Sequence, residues 1–356
     1  MTNRIDRVQS RIQQLEADAA LLTFLPDIRW SCGFTGSNAV LIVHRDGADF
    51  ISDGRYTAQA EREVSGAEVH IPGYNLLEYA AEEELIGEGS QVILQADHVT
   101  VSKLERLREL FPSVDWQPES DLLTKQVASK DPSEIEAIRK AQRITDEVFD
   151  YLCGWLEAGM TEQEVGAEIV YQHLRRGAEK MAFEPIVASG SNGALPHARP
   201  TSRTLQSGEL VVIDMGCFVD GYASDMTRTV AIGEPSEEAS RGYQVVLDAQ
   251  QAALDAAHAG MTGTELDTVA RQGIEDAGLG DYFSHSLGHG VGLQVHEWPR
   301  LSQHVEHELP LNAVVTIEPG VYVPEQFGVR IEDLVVIRED GIENLTASPK
   351  KLIQIG

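Results

Sequence analysis

Residues 210–229 read LVVIDMGCFVDGYASDMTRT. Two apolar runs flank Val219-Asp220-Gly221, and Asp-Gly between strand-like runs is a hairpin signal. Asp214 and Asp225 each lie about five residues from that turn. Folding it back is expected to set the two acids nearly opposite each other, where neighbours on one face stand ~5 Å apart. The device recurs further on: Glu318, in VVTIEPG, and Glu332, in GVRIEDLVV, lie about seven residues either side of the centre of Pro324-Glu-Gln-Phe-Gly328. His289 arrives separately in SLGHGVGL, where Gly288, Gly290 and Gly292 allow close backbone approach.

A lone acid at a strand end is ordinarily solvated. Asp214 and Glu318, however, close the apolar runs LVVI and AVVTI, and Glu332 is enclosed by Val329, Ile331, Leu334 and Val335. Buried acids need partners or metal. One imidazole and four carboxylates are oxygen-dominated ligands that suit two divalent cations sharing bridging carboxylates better than one tetrahedral zinc. Two such ions activate a water and polarise a carbonyl.

The 356 residues suffice for two domains, and the composition, 42% hydrophobic and 24% charged, is that of a globular protein. No apolar run approaches the ~18 residues of a membrane span. MTNRIDRVQSRIQQLEADAA reads as an amphipathic helix without the apolar stretch of a signal peptide, which points to the cytoplasm. The net charge is −29, and only 7 of the 28 basic residues are lysine. With no basic patch, nucleic acid is excluded as a partner; the acidity fits a solvated surface or a salt-adapted source. Cys32, Cys153 and Cys217 form no CxxC pair. Neither a disulfide framework nor a thiolate zinc site is expected, and Cys217 reads as a core or near-site thiol.

Residues 1–125 alternate strand patterns (19–25, 37–45, 48–53, 67–71, 91–97) with helical ones (56–64, 75–86, 100–110), which reads as a small α/β domain. Its polar groups form no motif, so a structural or dimer-forming role is expected of it. A boundary falls near 125–131. Asp131, Pro132 and Glu134 then open a helix whose buried face includes Ile135, Ile138, Val148 and Phe149. Thr161 with Glu164 and Thr262 with Glu265 form capping boxes, and an alanine-rich helix fills 236–257. Strand patterns occupy 183–188, 209–219, 222–232, 291–297, 312–318 and 329–337. Helices plus hairpins without regular alternation make residues 126–356 an α+β domain.

Four further residues are candidates. His197 lies in the Gly/Pro-punctuated SNGALPHARP, and His296 in QVHEWPR. Arg300, in the same WPR segment, suits a bidentate contact with a substrate carboxylate. Arg330, two residues before Glu332, is placed to hold a ligand carboxylate.

GYASDMTRT, SLGHGVGLQVHEWPR, TIEPGVY and GVRIED resemble the signatures of the pita-bread metallopeptidases, in the branch of Xaa-Pro dipeptidase (prolidase) and Xaa-Pro aminopeptidase. WSCGFTGSNAVLIV and FISDGRYTAQA resemble the N-terminal domain of creatinase and prolidase. The resemblance spans essentially the whole chain. It implies a smaller α/β creatinase-type domain before a pita-bread catalytic domain, two ions of Mn²⁺ or Co²⁺ (sometimes Zn²⁺), cleavage before proline, and a homodimer. By that resemblance Asp225 and His289 serve one metal and Asp214 chelates the other. Asp225 and Glu332 bridge both, and Glu318 joins the His289-side metal. A hydroxide between the ions would attack the scissile carbonyl, with Glu318 shuttling the proton to the leaving nitrogen. His197 and His296 match substrate-side histidines, and Arg300 fits a cationic anchor for the proline carboxylate of a dipeptide. An aminopeptidase acting on longer peptides is the alternative. Intact ligands argue against creatinase, and the N-terminal domain against methionine aminopeptidase. The non-catalytic binding modules built on this fold usually lose ligand residues.

Overall fold

The computed structural model describes residues 4–356, which divide into two compact units, one ending at Val127 and one beginning at Ala128. The first is built on a six-stranded mixed sheet. Ala19–Leu22 lies inside it, antiparallel to Ala39–His44 and parallel to Gln91–Gln95. Ala48–Ser52 and Glu68–His70 extend one side, and Asp115–Glu119 the other. The runs AALL, AVLIV and VIL are continuously apolar because helices cover both faces. Leu76, Ala80 and Leu107 of the helices Leu76–Glu82 and Val101–Leu110 close over Leu21, Ile42, Ile51 and Leu94. The helices Arg4–Gln14, burying Ile5, Val8 and Ile12, and Leu25–Cys32 cover the other face. Met1 to Asn3, part of the expected N-terminal helix, lie outside the described residues.

Two expectations for this unit need correction. The strand expected over 19–25 stops at Leu22, because Pro26 sits at the start of the Leu25–Cys32 helix, where its fixed φ suits a first turn. Gln95 Oε1 accepts the freed N–H groups of Thr23 (2.9 Å) and Phe24 (3.1 Å). The strand Asp115–Glu119 was not foreseen; it tolerates Pro118 because it lies at a sheet edge.

In the second unit, helix Pro132–Trp155 begins at the expected capping box, with Asp131 accepting from the Ser133 and Glu134 N–H groups. The boxes at Thr161 and Thr262 also form, opening Glu162–Arg175 and Gly263–Asp276. Helix Glu237–Ala256 is capped by Ser236. The first two helices bury Val148, Phe149, Leu152, Val165 and Ile169 against Ile213 and Val230. The later pair encloses a second core with Val315, Val335 and Ile337. Those cores support a four-stranded sheet containing Ile186–Ser189, Glu209–Met215 and Met226–Ile232, and a five-stranded one containing Gly288–Gly290, Val314–Ile317 and Asp333–Arg338.

Both acid-bearing hairpins change sheet partway along. Met226 pairs with Met215 and Thr227 with Asp214, but beyond Gly216 the ladder resumes as Phe218 with Ala223 in a different sheet. The continuous strands expected over 209–219 and 222–232 are therefore broken. At the break the Ser224 hydroxyl accepts the Cys217 N–H (3.0 Å). Asp225 is consequently not opposite Asp214: it lies two positions along on the same face, a diagonal neighbour. The second hairpin breaks after Ile317 opposite Asp333 and resumes at Gly320 opposite Arg330. Pro319 lacks the N–H to continue the ladder. The register is unchanged across this gap, so Glu318 and Glu332 do stand opposite each other.

Other boundaries also move. The strand expected over 291–297 is a series of bends between Gly288–Gly290 and Glu297–Leu301, with the Gly292 N–H turned back onto Gln294 O (3.0 Å). The strand expected over 183–188 begins only at Ile186, after Pro185, and runs to Ser189, while Lys180–Met181 forms a separate short strand ahead of it.

Gly328 of the second hairpin presses on the short turn Gly190–Ala194, which leads to His197. A Cβ at Gly328 would stand 1.7 Å from the Gly193 carbonyl oxygen. Gly328→Ala is expected to cost about 3 kcal/mol, the upper range for overpacking, as read by urea denaturation.

Candidate metal centre

The ladder breaks leave four carboxylates and one imidazole facing a single cavity of about 530 Å³. All nine residues singled out from the sequence line it: His197, Asp214, Asp225, His289, His296, Arg300, Glu318, Arg330 and Glu332. Backbone bonds join these segments. Glu332 N–H donates to Thr227 O (3.1 Å), linking the two hairpins, and Glu318 N–H to Leu287 O (2.8 Å), linking the second hairpin to the segment that leads to His289. A Cβ at Gly288 would lie 2.1 Å from Thr316 O, so glycine beside His289 lets that strand close on its neighbour.

Each acid is held by particular partners. Arg330 Nη2 donates to Asp214 Oδ2 (2.7 Å), its Nη1 to Tyr322 Oη (2.7 Å) and Pro196 O (3.1 Å), and its Nε to Thr227 Oγ1 (3.0 Å). The Thr227 hydroxyl in turn donates to Glu332 Oε2 (2.8 Å), and Thr316 Oγ1 to Glu318 Oε1 (3.1 Å). Arg330 thus ties the His197 loop, through Pro196, to Asp214. His289 Nε2 stands 3.3 Å from Glu318 Oε1 and 3.7 Å from Asp225 Oδ2. His296 meets the His289 ring edge-on, with centroids 4.3 Å apart. Arg300 is the cross-strand partner of His289. Among the described residues its guanidinium makes no hydrogen bond or ion pair.

Burial, then the field of Glu332, Asp214 and Glu318, raises the Asp225 pKa well above the carboxylate range. Burial, then Glu318 and Asp214, does the same to Glu332. Burial pushes Glu318 up to about 7 against the opposing pull of Arg330. Burial, then His296, drops His289 to about 3 and keeps its ring neutral.

These residues fit divalent cations. Nδ1 of His289 donates to Gly290 O (3.1 Å), so its Nε2 turns a lone pair toward carboxylate oxygens that are themselves acceptors. Donor atoms of Asp225, His289 and Glu332 lie within 4.8 Å of one another. Asp214 Oδ1 is buried with no hydrogen-bond partner among the described residues, while its Oδ2 takes Arg330. Acceptors converging in a buried space call for a positive ion.

Thr227, Thr316, Tyr322 and His285 belong to this site and were not singled out. Thr227 and Thr316 could have been found, since each lies two residues from an acid and hence on its face of the strand. His285, whose Nε2 takes Tyr322 Oη (2.9 Å), carried no such signal. Cys217, within the first hairpin, is buried, and burial pushes its thiol up to about 11.

Close to that thiol lies the fully buried His173, between Ile169 O (2.9 Å) and Thr145 Oγ1 (3.3 Å). Burial lowers its pKa from 6.5 to about 4, more than the Ile169 bond raises it. The folded state thus binds fewer protons than the unfolded one between those values. Stability present above pH 6.5 is lost as pH falls toward 4, by roughly 3 kcal/mol from this group. His173→Gln is expected to flatten that part of the stability profile in denaturant titrations between pH 7 and 4.

A buried acid cluster that shares one cavity with His197, His289 and His296 suits a metal-dependent hydrolase. Residues 136–339 match metallopeptidase family M24, and residues 4–126 the creatinase/prolidase N-terminal domain. The chain is 39% identical over 298 residues to a Xaa-Pro dipeptidase of Pyrococcus furiosus, covering 84% of this chain and 85% of that one. It superposes on the structure of a Xaa-Pro dipeptidase from Bacillus anthracis with a TM-score of 0.96 at 35% identity, covering 99% of each chain. For an X-Pro aminopeptidase from Thermotoga maritima the TM-score is 0.91 at 37% identity, covering 97% of this chain and all (100%) of that one. The chain belongs to metallopeptidase family M24, with a pita-bread catalytic domain behind a creatinase-type N-terminal domain. The family implies divalent metal ions. Among the described residues no helix is long and apolar enough to cross a membrane.

Proposed function

We propose that this chain hydrolyses the peptide bond preceding proline, most readily in Xaa-Pro dipeptides. The observation that carries the dipeptide reading is Arg300: a guanidinium on the cavity wall with no ion-pair partner among the described residues, in a protein with 57 acidic and 28 basic residues. It suits the carboxylate of a dipeptide's proline through a planar two-point contact. Asp214, Asp225, His289, Glu318 and Glu332 would hold two divalent cations, Mn²⁺ or Co²⁺ ahead of Zn²⁺. When bound, those ions supply Lewis acidity that lowers the pKa of water and polarises a carbonyl.

The chain's own groups do the rest. Glu318 takes the proton of the attacking water and delivers it to the departing proline nitrogen. His197 and His296 steady the carbonyl oxygen as negative charge builds on it. Arg330 holds Asp214 and, through Pro196, the His197 loop. The scissile nitrogen carries no N–H, so recognition falls on the ring, the carboxylate and the trans amide. Residues 126–356 would carry this chemistry and 1–125 a structural or dimer-forming role, in a cytoplasmic homodimer.

Release of the N-terminal residue from Ala-Pro and Ala-Pro-Ala, after chelation and then with Mn²⁺ or Co²⁺, tests the proposal. Metal-dependent cleavage of the dipeptide is the expected result. Preference for the tripeptide would instead make the chain an Xaa-Pro aminopeptidase, the second reading. Cleavage of neither would overturn both.

A further inference from the structure

The N-terminal unit carries a second set of ligating groups that the peptidase chemistry does not use. His44, Asp49, Glu68 and His70 come from three neighbouring strands, Ala39–His44, Ala48–Ser52 and Glu68–His70. The antiparallel register sets Ile42 opposite Asp49, and the parallel register sets Glu68 beside Asp49 and His70 beside Ile51. Alternation then puts all four side chains on one face of the sheet. Asp49 stands at their centre: Oδ2 lies 2.9 Å from His44 Nε2 and Oδ1 2.8 Å from His70 Nε2. Donor atoms of Asp49, Glu68 and His70 fall within 4.8 Å of one another. Among the described residues neither carboxylate is ion-paired to a lysine or arginine.

We propose that Asp49, Glu68 and His70, with His44 as a fourth donor, form a binding site for a divalent transition-metal ion of the zinc type. Two imidazoles and two carboxylates form a mixed nitrogen–oxygen set suited to tetrahedral Zn²⁺ or Co²⁺, distinct from the oxygen-rich set of the peptidase cavity. The two carboxylates balance a divalent charge. His70 Nδ1 lies 3.1 Å from Tyr79 Oη, which orients the ring from behind as metal-bound histidines require. Without metal the Tyr79 hydroxyl donates to Nδ1 while His70 Nε2–H donates to Asp49. With metal at Nε2 the proton sits on Nδ1 and the same hydroxyl accepts it. The ring therefore changes tautomer without losing a partner. The His44, Asp49 and His70 side chains are 26%, 17% and 14% exposed, which leaves the ion an entry path.

The test loads the full-length protein with Zn²⁺, removes loose ion by gel filtration and counts zinc per chain by elemental analysis. Wild type is expected to hold one more ion per chain than His70→Ala, with peptide hydrolysis unchanged between them. His44→Ala is expected to weaken that extra ion about 10-fold or more. His70→Gln and Asp49→Asn, closer in shape, cover the case in which His70→Ala does not fold. Equal zinc content in wild type and the folded variants would leave a hydrogen-bonded clasp only and overturn the site.

Discussion

Asp225→Asn is expected to lower turnover at least ~1000-fold, since the metal chemistry it would support is worth several kcal/mol and each ~1.4 kcal/mol is tenfold. The effect should be this large because of where Asp225 lies. It occupies the gap between two ladders, diagonal to Asp214 and within 4.8 Å of the His289 and Glu332 donors. Asparagine keeps the volume but loses the negative charge with which Asp225 would help hold a divalent cation. The fold should persist, because the Ser224 hydroxyl and the flanking pairs, not the Asp225 side chain, hold the break. Elemental analysis should show lost metal alongside an unchanged circular dichroism spectrum. Near-normal turnover in a folded variant would remove the two-metal assignment.

Arg300→Ala is expected to raise KM for Xaa-Pro dipeptides roughly 10- to 100-fold, the loss of a charge-assisted contact at ~1.5–3 kcal/mol. The change in kcat should be small, because a carboxylate contact made equally in the ground and transition states is uniform binding. A longer peptide has no carboxylate on its proline, so KM for Ala-Pro-Ala should move little. Arg300→Lys should recover only part of the loss, since an ammonium lacks the planar fork. Steady-state kinetics on the two peptides separate the outcomes. Equal effects on both would dismiss Arg300 as the anchor.

Much of this site was legible because its signals are local. Apolar runs ending in an acid, a short turn and the alternation of a strand bring Glu318 and Glu332 to the same end of one hairpin without any long-range knowledge. Helix starts were equally readable, since capping depends on three or four consecutive residues. The offset between Asp214 and Asp225 was also present in the chain: the turn is centred between Asp220 and Gly221, nearer Asp225, and a careful count gives the diagonal. What could not be read depends on distant partners. Arg330 reaches Asp214, Tyr322 and Pro196 across three segments. The bends at 291–296 follow from a buried ion pair between Lys130 and Glu297, beside which Gly292 has no room for a Cβ. No periodicity encodes such contacts.

Because each acid-bearing hairpin belongs to one sheet at its base and another at its tip, the five candidate ligands sit on a seam between separately supported layers. A cation seated there would act as a cross-link, and its removal would lower the free energy of local opening along the seam more than that of either core. Amide hydrogen exchange should register this directly. Chelation should release protection at Thr227, Glu318 and Glu332, while Val212, Val230 and Val335 within the ladders keep theirs.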